Sequence, residues 1–201
     1  MNNCKVISGL TSKTPQNLVL DAGAFFKNYN VETDTFETAV QAGKLIGATK
    51  GGGKFKAIPS FRDIELDGMR GAIKGTKLLK SWEVTMNANV VEISASLLKD
   101  GLGIATTEAV KNKNGYDVIK GKMCLKDEDY IENITWVGTV SGSDKPVIIQ
   151  VFNALNTSGL DLSFEDKGEL TSGLEFIGHF DMAKMNEVPF AIYYPKIGVG
   201  A

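Results

Sequence analysis

A strict alternation of apolar and polar residues from Ser81 to Val90 constrains the fold more than any other feature of the sequence. Every second residue is apolar, beginning with Trp82, whereas the intervening residues are polar and include one charge, Glu83. A period of two places the two sets on opposite faces of a β-strand. The segment is therefore predicted to be a strand with one face in the core. Its polar face suits either bulk solvent or a water-filled channel.

More strands are predicted in the second half of the chain. Ile131–Val140 alternates in the same way, and so does Thr171–Phe180. Val147–Leu155 is apolar on nearly both faces, which is typical of a central strand. We therefore predict a mainly β fold, a β-sandwich or small barrel of two packed sheets.

Two short helices are indicated between the strands. Ser94 is a suitable N-cap for a helix through Lys99, with Asp100-Gly101 closing it. This is the one short flanking α-helix of the predicted fold. A second short helix from Thr35 to Gly43 is compatible with the helical spacing of its apolar residues.

Two turn signals divide the first half of the chain. Asp21-Ala22-Gly23 follows a short strand and is predicted to be a turn. Asp67-Gly68 is a hairpin signal, because a two-residue type I′ turn needs positive φ at both positions. The hairpin strands would be Phe61–Leu66 and Met69–Lys74.

The remaining segments are predicted to be irregular parts of one domain spanning residues 1–201. Residues 30–60 are expected to form a long loop rich in Gly and Lys, since three consecutive glycines do not make a stiff strand. That loop is either a plain surface loop or an arm that orders against a neighbouring subunit. Polar residues 1–17 form an N-terminal arm. The aromatic C-terminal arm, about 182–201, either folds back on its own domain or docks on a neighbour.

Charge is distributed unevenly along the chain. The net charge is -2, but residues 1–80 carry 12 basic and 7 acidic residues and residues 81–201 carry 10 basic and 17 acidic ones. The simpler interpretation of this asymmetry is a solvated surface with no particular partner. The alternative is a bipolar subunit whose basic part meets the acidic part of a neighbour. Tight binding to DNA is disfavoured, because the chain is not basic overall.

The sequence offers no convincing catalytic or cofactor motif, so the protein is predicted not to be an enzyme and to need no cofactor or metal. The single histidine, His179, has no paired nucleophile in view. The glycine-rich stretch before Lys54 fails as a phosphate-binding loop, because Ala48 replaces its first glycine and Phe55 replaces its Ser or Thr. Asp127-Glu128-Asp129 lacks the spacing of a calcium loop. No apolar run is long enough to predict a membrane segment.

A series of short motifs, taken in order, resembles the major tail tube proteins of tailed bacteriophages and related prophage elements. The likeness runs from about residue 18 to residue 195. Each motif is weakly specific alone, and the order is more telling. The motifs are Leu-Asp-Ala-Gly at 20–23, Gly-Ala-Thr-Lys-Gly-Gly at 47–52, the hairpin ending in Lys74-Gly75, Tyr130-Ile131-Glu132-Asn133-Ile134-Thr135-Trp136, Asn153-Ala154-Leu155, Glu165-Asp166-Lys167, and Leu174-Glu175-Phe176 leading to His179-Phe180-Asp181.

The resemblance implies a structural virion protein whose hexameric rings stack into the hollow tail tube. The genome would pass through this tube during ejection without binding tightly. The expected partners are further copies of the chain, a tail tip or baseplate initiator, a tape measure protein and a tail terminator. The protein would reside in the virion after assembly in the bacterial host cytoplasm.

Three sets of residues are candidates for roles in such an assembly. The basic stretch from Lys44 to Lys80, with 9 basic and 3 acidic residues, is expected to meet an acidic surface of the next subunit. A conduit for DNA favours acidic or neutral side chains toward its lumen. The inter-subunit loop candidates are Lys50, Gly51, Gly52, Gly53, Lys54 and Lys56; the lumen candidates are Glu83, Asn87, Asn89 and Glu175; the C-terminal arm candidates are Phe190, Tyr193 and Tyr194.

Two other readings compete with a phage tube. The chain is alternatively the tube subunit of a phage-derived bacteriocin or secretion-like particle, since these share the fold. A soluble, oligomeric β-sandwich that binds a ligand is the third reading, and it predicts a compact particle of fixed mass. Polymers that form with rising concentration would separate the tube subunits from the binding module.

Overall fold

The computed structural model describes residues 9–109, 115–164, 166 and 168–197. Within these residues there are nine β-strands and two α-helices. The strands are β1 (Val19–Lys27), β2 (Thr49–Asp63), β3 (Lys77–Val90), β4 (Ala105–Ala109), β5 (Asp117–Gly121), β6 (Ile131–Val140), β7 (Val147–Asn156), β8 (Ser172–Gly178) and β9 (Phe190–Tyr193). The helices are α1 (Phe36–Gln41) and α2 (Ala95–Leu102), with single 3₁₀ turns at Thr14–Asn17, Asp127–Asp129 and Met182–Lys184.

One curved antiparallel sheet makes up most of the molecule. Its strands follow the order β1-β6-β7-β8-β3-β2, and β9 pairs with β7. The two ends of this order meet, because the segment before β2 bonds to β1: the Ile46 N–H donates to the Phe25 carbonyl at 2.9 Å. Strands β4 and β5 form a separate two-stranded ribbon. The predicted mainly β fold, with two packed layers and a short flanking helix, is confirmed.

The apolar core lies between the two layers of the curved sheet. Strands β1, β6 and β7 contribute from one layer and β3 and β8 from the other, while α2 adds Leu97. The largest fully buried apolar side chains of this cluster are Phe25, Met86, Ile134, Val151, Leu174 and Phe176.

The alternation predicted for Ser81–Val90 is confirmed, except that one residue of the polar face, Thr85, is also buried. Val84, Met86 and Val90 are buried in the core, as expected. Thr85 points to the opposite face but is only 2% exposed. In the sheet register it lies between Lys56 of β2 and Ile177 of β8, so the cross-strand neighbours flank it on both sides.

The predicted central strand is also confirmed, and β6 has the bounds expected from its alternation. Strand β7 pairs with β6 along one edge and with both β9 and β8 along the other. The change of partner occurs around Asn153, whose φ of 47° marks a local distortion of the strand. An all-apolar strand is stable in this position because both of its faces are covered.

Helix α2 begins where the sequence predicts, but it ends later. The Ser94 side chain accepts a hydrogen bond from the Leu97 N–H at 3.1 Å. Asp100 and Gly101 lie inside the helix, and Gly103, with φ of 70°, follows its last turn. Helix α1 is present as well, capped by Thr35.

The prediction of a Gly/Lys-rich loop over residues 30–60 is wrong for its second half, because β2 begins at Thr49. The backbone hydrogen bonds of this strand are made across the sheet with β3, and the glycines form no local structure of their own. Gly51 and Gly52 have φ of 79° and 67°, and the register shifts there, so they form an irregularity within the strand. Gly53 has no room for a side chain: an added Cβ would lie 2.1 Å from the Asn87 carbonyl oxygen.

Both turn predictions need correction. Asp21-Ala22-Gly23 is an irregularity inside β1, which continues to Lys27, rather than a turn. Asp67-Gly68 does form a turn, with the Met69 N–H bonded to the Leu66 carbonyl, but it lies at the tip of a longer loop over residues 64–76. The paired strands end at Asp63 and Lys77, and one more backbone hydrogen bond, from the Ile64 N–H to the Thr76 carbonyl at 2.8 Å, closes the base of the loop.

The chain ends are less independent than the predicted arms. Residues 1–8 lie outside the described residues, while the 3₁₀ turn at 14–17 contacts the turn after β6, where the Ser141 hydroxyl bonds to the Pro15 carbonyl. The C-terminal segment folds back on its own domain, since β9 pairs with residues 148–151 of β7.

Candidate functional site

The predicted lumen residues and two of the predicted inter-subunit loop residues, Lys54 and Lys56, lie on one surface of the sheet. In the register, Lys54 of β2 stands opposite Asn87 of β3, which stands opposite Glu175 of β8. The Asn87 side-chain amide donates to the Glu175 carboxylate at 2.9 Å. These three residues therefore form one row across the outward surface of strands β2, β3 and β8, which we call the outer face.

The adjacent rows extend the outer face along the strands. Lys56 aligns with Thr85, and Ile58 aligns with Glu83. Asn89 stands opposite Gly173 in the other direction. The face carries two lysines, two glutamates and neutral groups, so its formal charge is balanced. Its members are Lys54, Lys56, Ile58, Glu83, Thr85, Asn87, Asn89, Gly173, Glu175 and Ile177.

Lys50 lies at the border of the outer face and takes part in an ion pair. Its ammonium group is 2.6 Å from the Glu169 carboxylate, in the loop before β8. A hydrogen bond from Lys50 lowers the pKa of Glu169. Both side chains are largely exposed, so solvent screens the pair and it adds little to stability.

Sequence reasoning missed a group of exposed apolar side chains on one hairpin. The end of the β2–β3 ribbon, residues 61–81, extends away from the core, and we call it the distal hairpin. Leu66 at its tip is 61% exposed. The signal available in the sequence was a cluster of large apolar residues that follows no alternating pattern. The exposed apolar residues are Phe61, Ile64, Leu66, Ile73, Leu78 and Leu79.

The antiparallel register assigns most connections to one of two ends of the barrel. The described parts of the connections 28–48, 91–130 and 157–171 lie at one end, with α1 and α2, and we call it the helix end. The other end, which we call the hairpin end, has the distal hairpin and the segments 9–18, 141–146 and 194–197. The segment 179–189 lies at neither end, because the His179 N–H donates to the Phe152 carbonyl and the Phe152 N–H donates to the Pro189 carbonyl, midway along β7.

The two ends carry opposite charge. Among the described residues, the segments of the helix end contain 13 acidic and 5 basic residues, for a net charge of −8. Those of the hairpin end contain 4 acidic and 8 basic residues, for a net charge of +4. The two ends of the barrel therefore differ in charge, but they do not coincide with the two halves of the sequence, so the predicted contact between a basic part and the acidic part of a neighbour stays a prediction.

The predicted C-terminal contact residues have different environments. The Phe190 ring packs between Phe55 and Trp82, with centroid distances of 5.6 and 5.7 Å. Phe190 is therefore engaged within its own subunit. Tyr193 and Tyr194 remain exposed at the hairpin end and are available to another molecule.

A small polar cavity of about 170 Å³ lies at the helix end, between α2 and the start of β6. Burial would raise the pKa of Asp129, but hydrogen bonds from the Lys122 ammonium and the Lys126 N–H outweigh it, so the pKa is lowered. Lys27 bonds to Asp100 at 2.9 Å on the other side of the cavity. These carboxylates are paired with ammonium groups, which is the arrangement of a structural ion-pair network.

His179 also makes structural contacts. Its Nδ1 lies 3.1 Å from the Asn153 carbonyl oxygen, and the Asn153 side-chain amide donates to the His179 carbonyl at 3.1 Å. The Tyr130 ring meets the imidazole edge-on at 5.1 Å. The two contacts between His179 and Asn153 connect the end of β8 to the position at which β7 changes partner.

The described residues contain neither a group of metal ligands nor a membrane-spanning helix. No three His, Cys, Asp or Glu side chains among them are grouped as metal ligands would be. None of their helices is long and apolar enough to span a bilayer. No protein-family model matches the sequence, and no curated protein matches it significantly.

Proposed function

We propose that this protein is a structural subunit that assembles as hexameric rings, which stack into a hollow phage tail tube. The observation that carries the proposal is the opposite charge of the two ends of the barrel. A subunit with complementary ends associates head to tail, and contacts of that kind form open polymers. The mainly β fold agrees with the resemblance to tail tube proteins.

The outer face is the proposed wall of the lumen. Glu83, Asn87, Asn89 and Glu175 lie on it together, and Lys54 and Lys56 balance the two glutamates. A surface of balanced charge releases few counterions on contact with DNA, so the genome would slide past it without being held. The tail tip initiator, tape measure protein and tail terminator are the partners implied by this role, and the virion is its location.

A tube of a bacteriocin or a secretion-like particle would use the same surfaces. A ligand-binding module is the second candidate function, and the polar cavity at the helix end is the observation that favours it. Its volume of about 170 Å³ suits only a small ligand.

Negative-stain electron microscopy and sedimentation velocity of the purified protein, over a range of concentrations, test the proposal. We expect rings and stacked tubes whose fraction rises with concentration. A particle of one small, fixed mass at every concentration, even with a tail-tip seed present, contradicts the proposal and favours the ligand-binding module.

A further inference from the structure

The side-chain amide of Asn156, the last residue of β7, is buried but only half satisfied. Asn156 is 3% exposed, and its Oδ1 accepts hydrogen bonds from the N–H groups of Ser158 and Gly159 and from the Ser158 hydroxyl, each at 3.0 Å. These donors fix which end of the amide is the oxygen, because a flipped NH₂ group would face two N–H groups. The Nδ2 group is therefore a true donor, and it has no hydrogen-bond partner among the described residues.

Asn156 belongs to the wall of the polar cavity at the helix end. A buried donor without a partner is costly, so it calls for an acceptor that the chain itself does not provide. The cavity volume is about 170 Å³. Since a cavity of about 150 Å³ holds a benzene molecule in another protein, this one has room for a small organic ligand.

The charged groups of the cavity wall leave one ammonium group over. Three carboxylates line the cavity, and each one is paired with a lysine. The pairs are Asp100 with Lys27, Asp129 with Lys122, and Glu128 with Lys126. Lys99 of α2 also lines the cavity, but its ammonium group makes no ion pair or hydrogen bond among the described residues. The wall and its ion-pair partners thus have four lysines and three carboxylates, an excess of one positive charge.

The same cavity has an apolar part. Leu155, which is 5% exposed, and the half-buried Ile131 both line it. The wall is closely packed where α2 ends, because a Cβ added to Gly103 would lie 2.1 Å from the Asn156 carbonyl oxygen. An apolar wall with a few polar groups that fix orientation is the usual composition of a small-molecule site.

We propose that this cavity binds a small aliphatic monocarboxylate of about the size of propionate. The Asn156 Nδ2 group and the Lys99 ammonium group donate to the carboxylate, while Leu155 and Ile131 contact the alkyl chain. Both groups without partners are donors, so the ligand must be an acceptor, and the single excess positive charge suits a monoanion. The inference goes beyond the proposed tube, since it rests on the cavity and not on self-assembly.

Saturation-transfer difference NMR with propionate tests the site in the full-length chain, since it detects weak ligands on free subunits and on large assemblies alike. Lys99→Gln removes the charge of an exposed side chain. Asn156→Asp keeps an oxygen acceptor for Ser158 and Gly159 but replaces the Nδ2 donor by a carboxylate oxygen. The matched control is Lys145→Gln, in the exposed turn after β6. Circular dichroism checks that each variant is folded.

We expect wild type and Lys145→Gln to bind propionate equally well. Lys99→Gln should raise the Kd about tenfold, because a charge-assisted hydrogen bond is lost. Asn156→Asp should bind still more weakly, since one carboxylate then faces another. Acetate should compete with propionate, whereas adamantane-1-carboxylate, which is too bulky for the cavity, and sodium chloride at the same concentration should not.

The outcomes separate this inference from the proposed function. If propionate shows no saturation transfer, water satisfies the Asn156 amide and the inference is overturned, while the tube function stands. If Lys99→Gln binds as tightly as wild type, or if adamantane-1-carboxylate competes equally, propionate binds outside the cavity and the inference is wrong. If chloride displaces propionate equally, the site takes any small anion and the carboxylate assignment is wrong. Sedimentation velocity of the same samples reports assembly separately, so binding by a chain that never polymerises supports the inference and contradicts the tube.

Discussion

Gly53 shows at the scale of one residue why the glycine run is part of a strand. Its backbone lies so close to β3 and to Phe25 that a Cβ would fall 2.1 Å from the Asn87 carbonyl oxygen and 2.5 Å from the Phe25 ring. We predict that Gly53→Ala destabilises the fold by about 1–3 kcal/mol, because either the backbone or the ring must move. Urea unfolding measures the change.

The control for Gly53 is Gly71→Ala in the distal hairpin, where an added Cβ would meet nothing within 4 Å. A surface change of this kind is expected to stay within about 0.5 kcal/mol. Equal effects of the two substitutions would contradict the close packing of β2 on β3.

At the same scale, Asp34 makes a pH-dependent contribution to the free energy of unfolding. The Asn30 N–H and the Lys44 ammonium, at 2.8 and 2.5 Å, lower the pKa of Asp34 below its usual value of 3.8. A carboxylate with a lowered pKa stabilises the folded state above its unfolded pKa and loses that contribution as the pH falls through the folded value. We expect Asp34→Asn to reduce the free energy of unfolding near neutral pH, with the difference from wild type shrinking well below about pH 4.

Denaturant unfolding at several pH values measures this difference. Asp144→Asn, in the exposed turn after β6, is the control for removing one carboxylate. If the difference in the free energy of unfolding between Asp34→Asn and wild type stays constant down to acid pH, the ion pair with Lys44 does not contribute as described.

At the scale of secondary-structure elements, β9 decides whether the C-terminal segment belongs to its own subunit. Its Phe190 ring fills the space between Phe55 and Trp82 and is half-buried. We expect Phe190→Ala to cost about 2 kcal/mol, roughly half of what a fully buried phenylalanine loses. Tyr194→Ala, an exposed neighbour, should cost no more than about 0.5 kcal/mol.

Thermal unfolding of dilute, unassembled protein distinguishes these effects. If Phe190→Ala leaves the monomer unchanged and weakens only its assembly, β9 docks on a neighbouring subunit instead. That outcome would restore the C-terminal arm as an intermolecular contact.

At the scale of the whole molecule, the charge difference between the barrel ends makes assembly sensitive to salt. Raising the ionic strength from about 0.1 M to about 1 M shortens the Debye length from roughly 10 Å to roughly 3 Å. We predict slower assembly at high salt, measured by light scattering, because attraction between the basic and acidic ends is screened. Faster assembly at high salt would indicate that the apolar hairpin surface dominates and the end charges oppose association.

Much of the fold was predictable from local patterns. The period of two over Ser81–Val90 and Ile131–Val140 identified strands, and the apolar run in β7 identified the central one. Ser94 marked the start of α2 because its hydroxyl bonds within the next turn. The sequence also placed Asn87 and Glu175 in one set of polar candidates, and the register joins them by a hydrogen bond. Their role in a lumen stays a prediction.

Pairing between distant segments decided the rest. The glycine run belongs to a strand only because Thr49 and Gly53, on either side of the irregularity, pair with β3, and no local pattern identifies that partner. The C-terminal segment likewise becomes β9 through contact with β7. The sequence by itself determined that β3, β6, β7 and β8 are strands, since side-chain alternation and apolar runs are local properties. Only the tertiary structure decided that the glycine run and the C-terminal segment are strands too, which strands pair, and hence that the basic distal hairpin and the acidic helix end lie at opposite ends of the barrel.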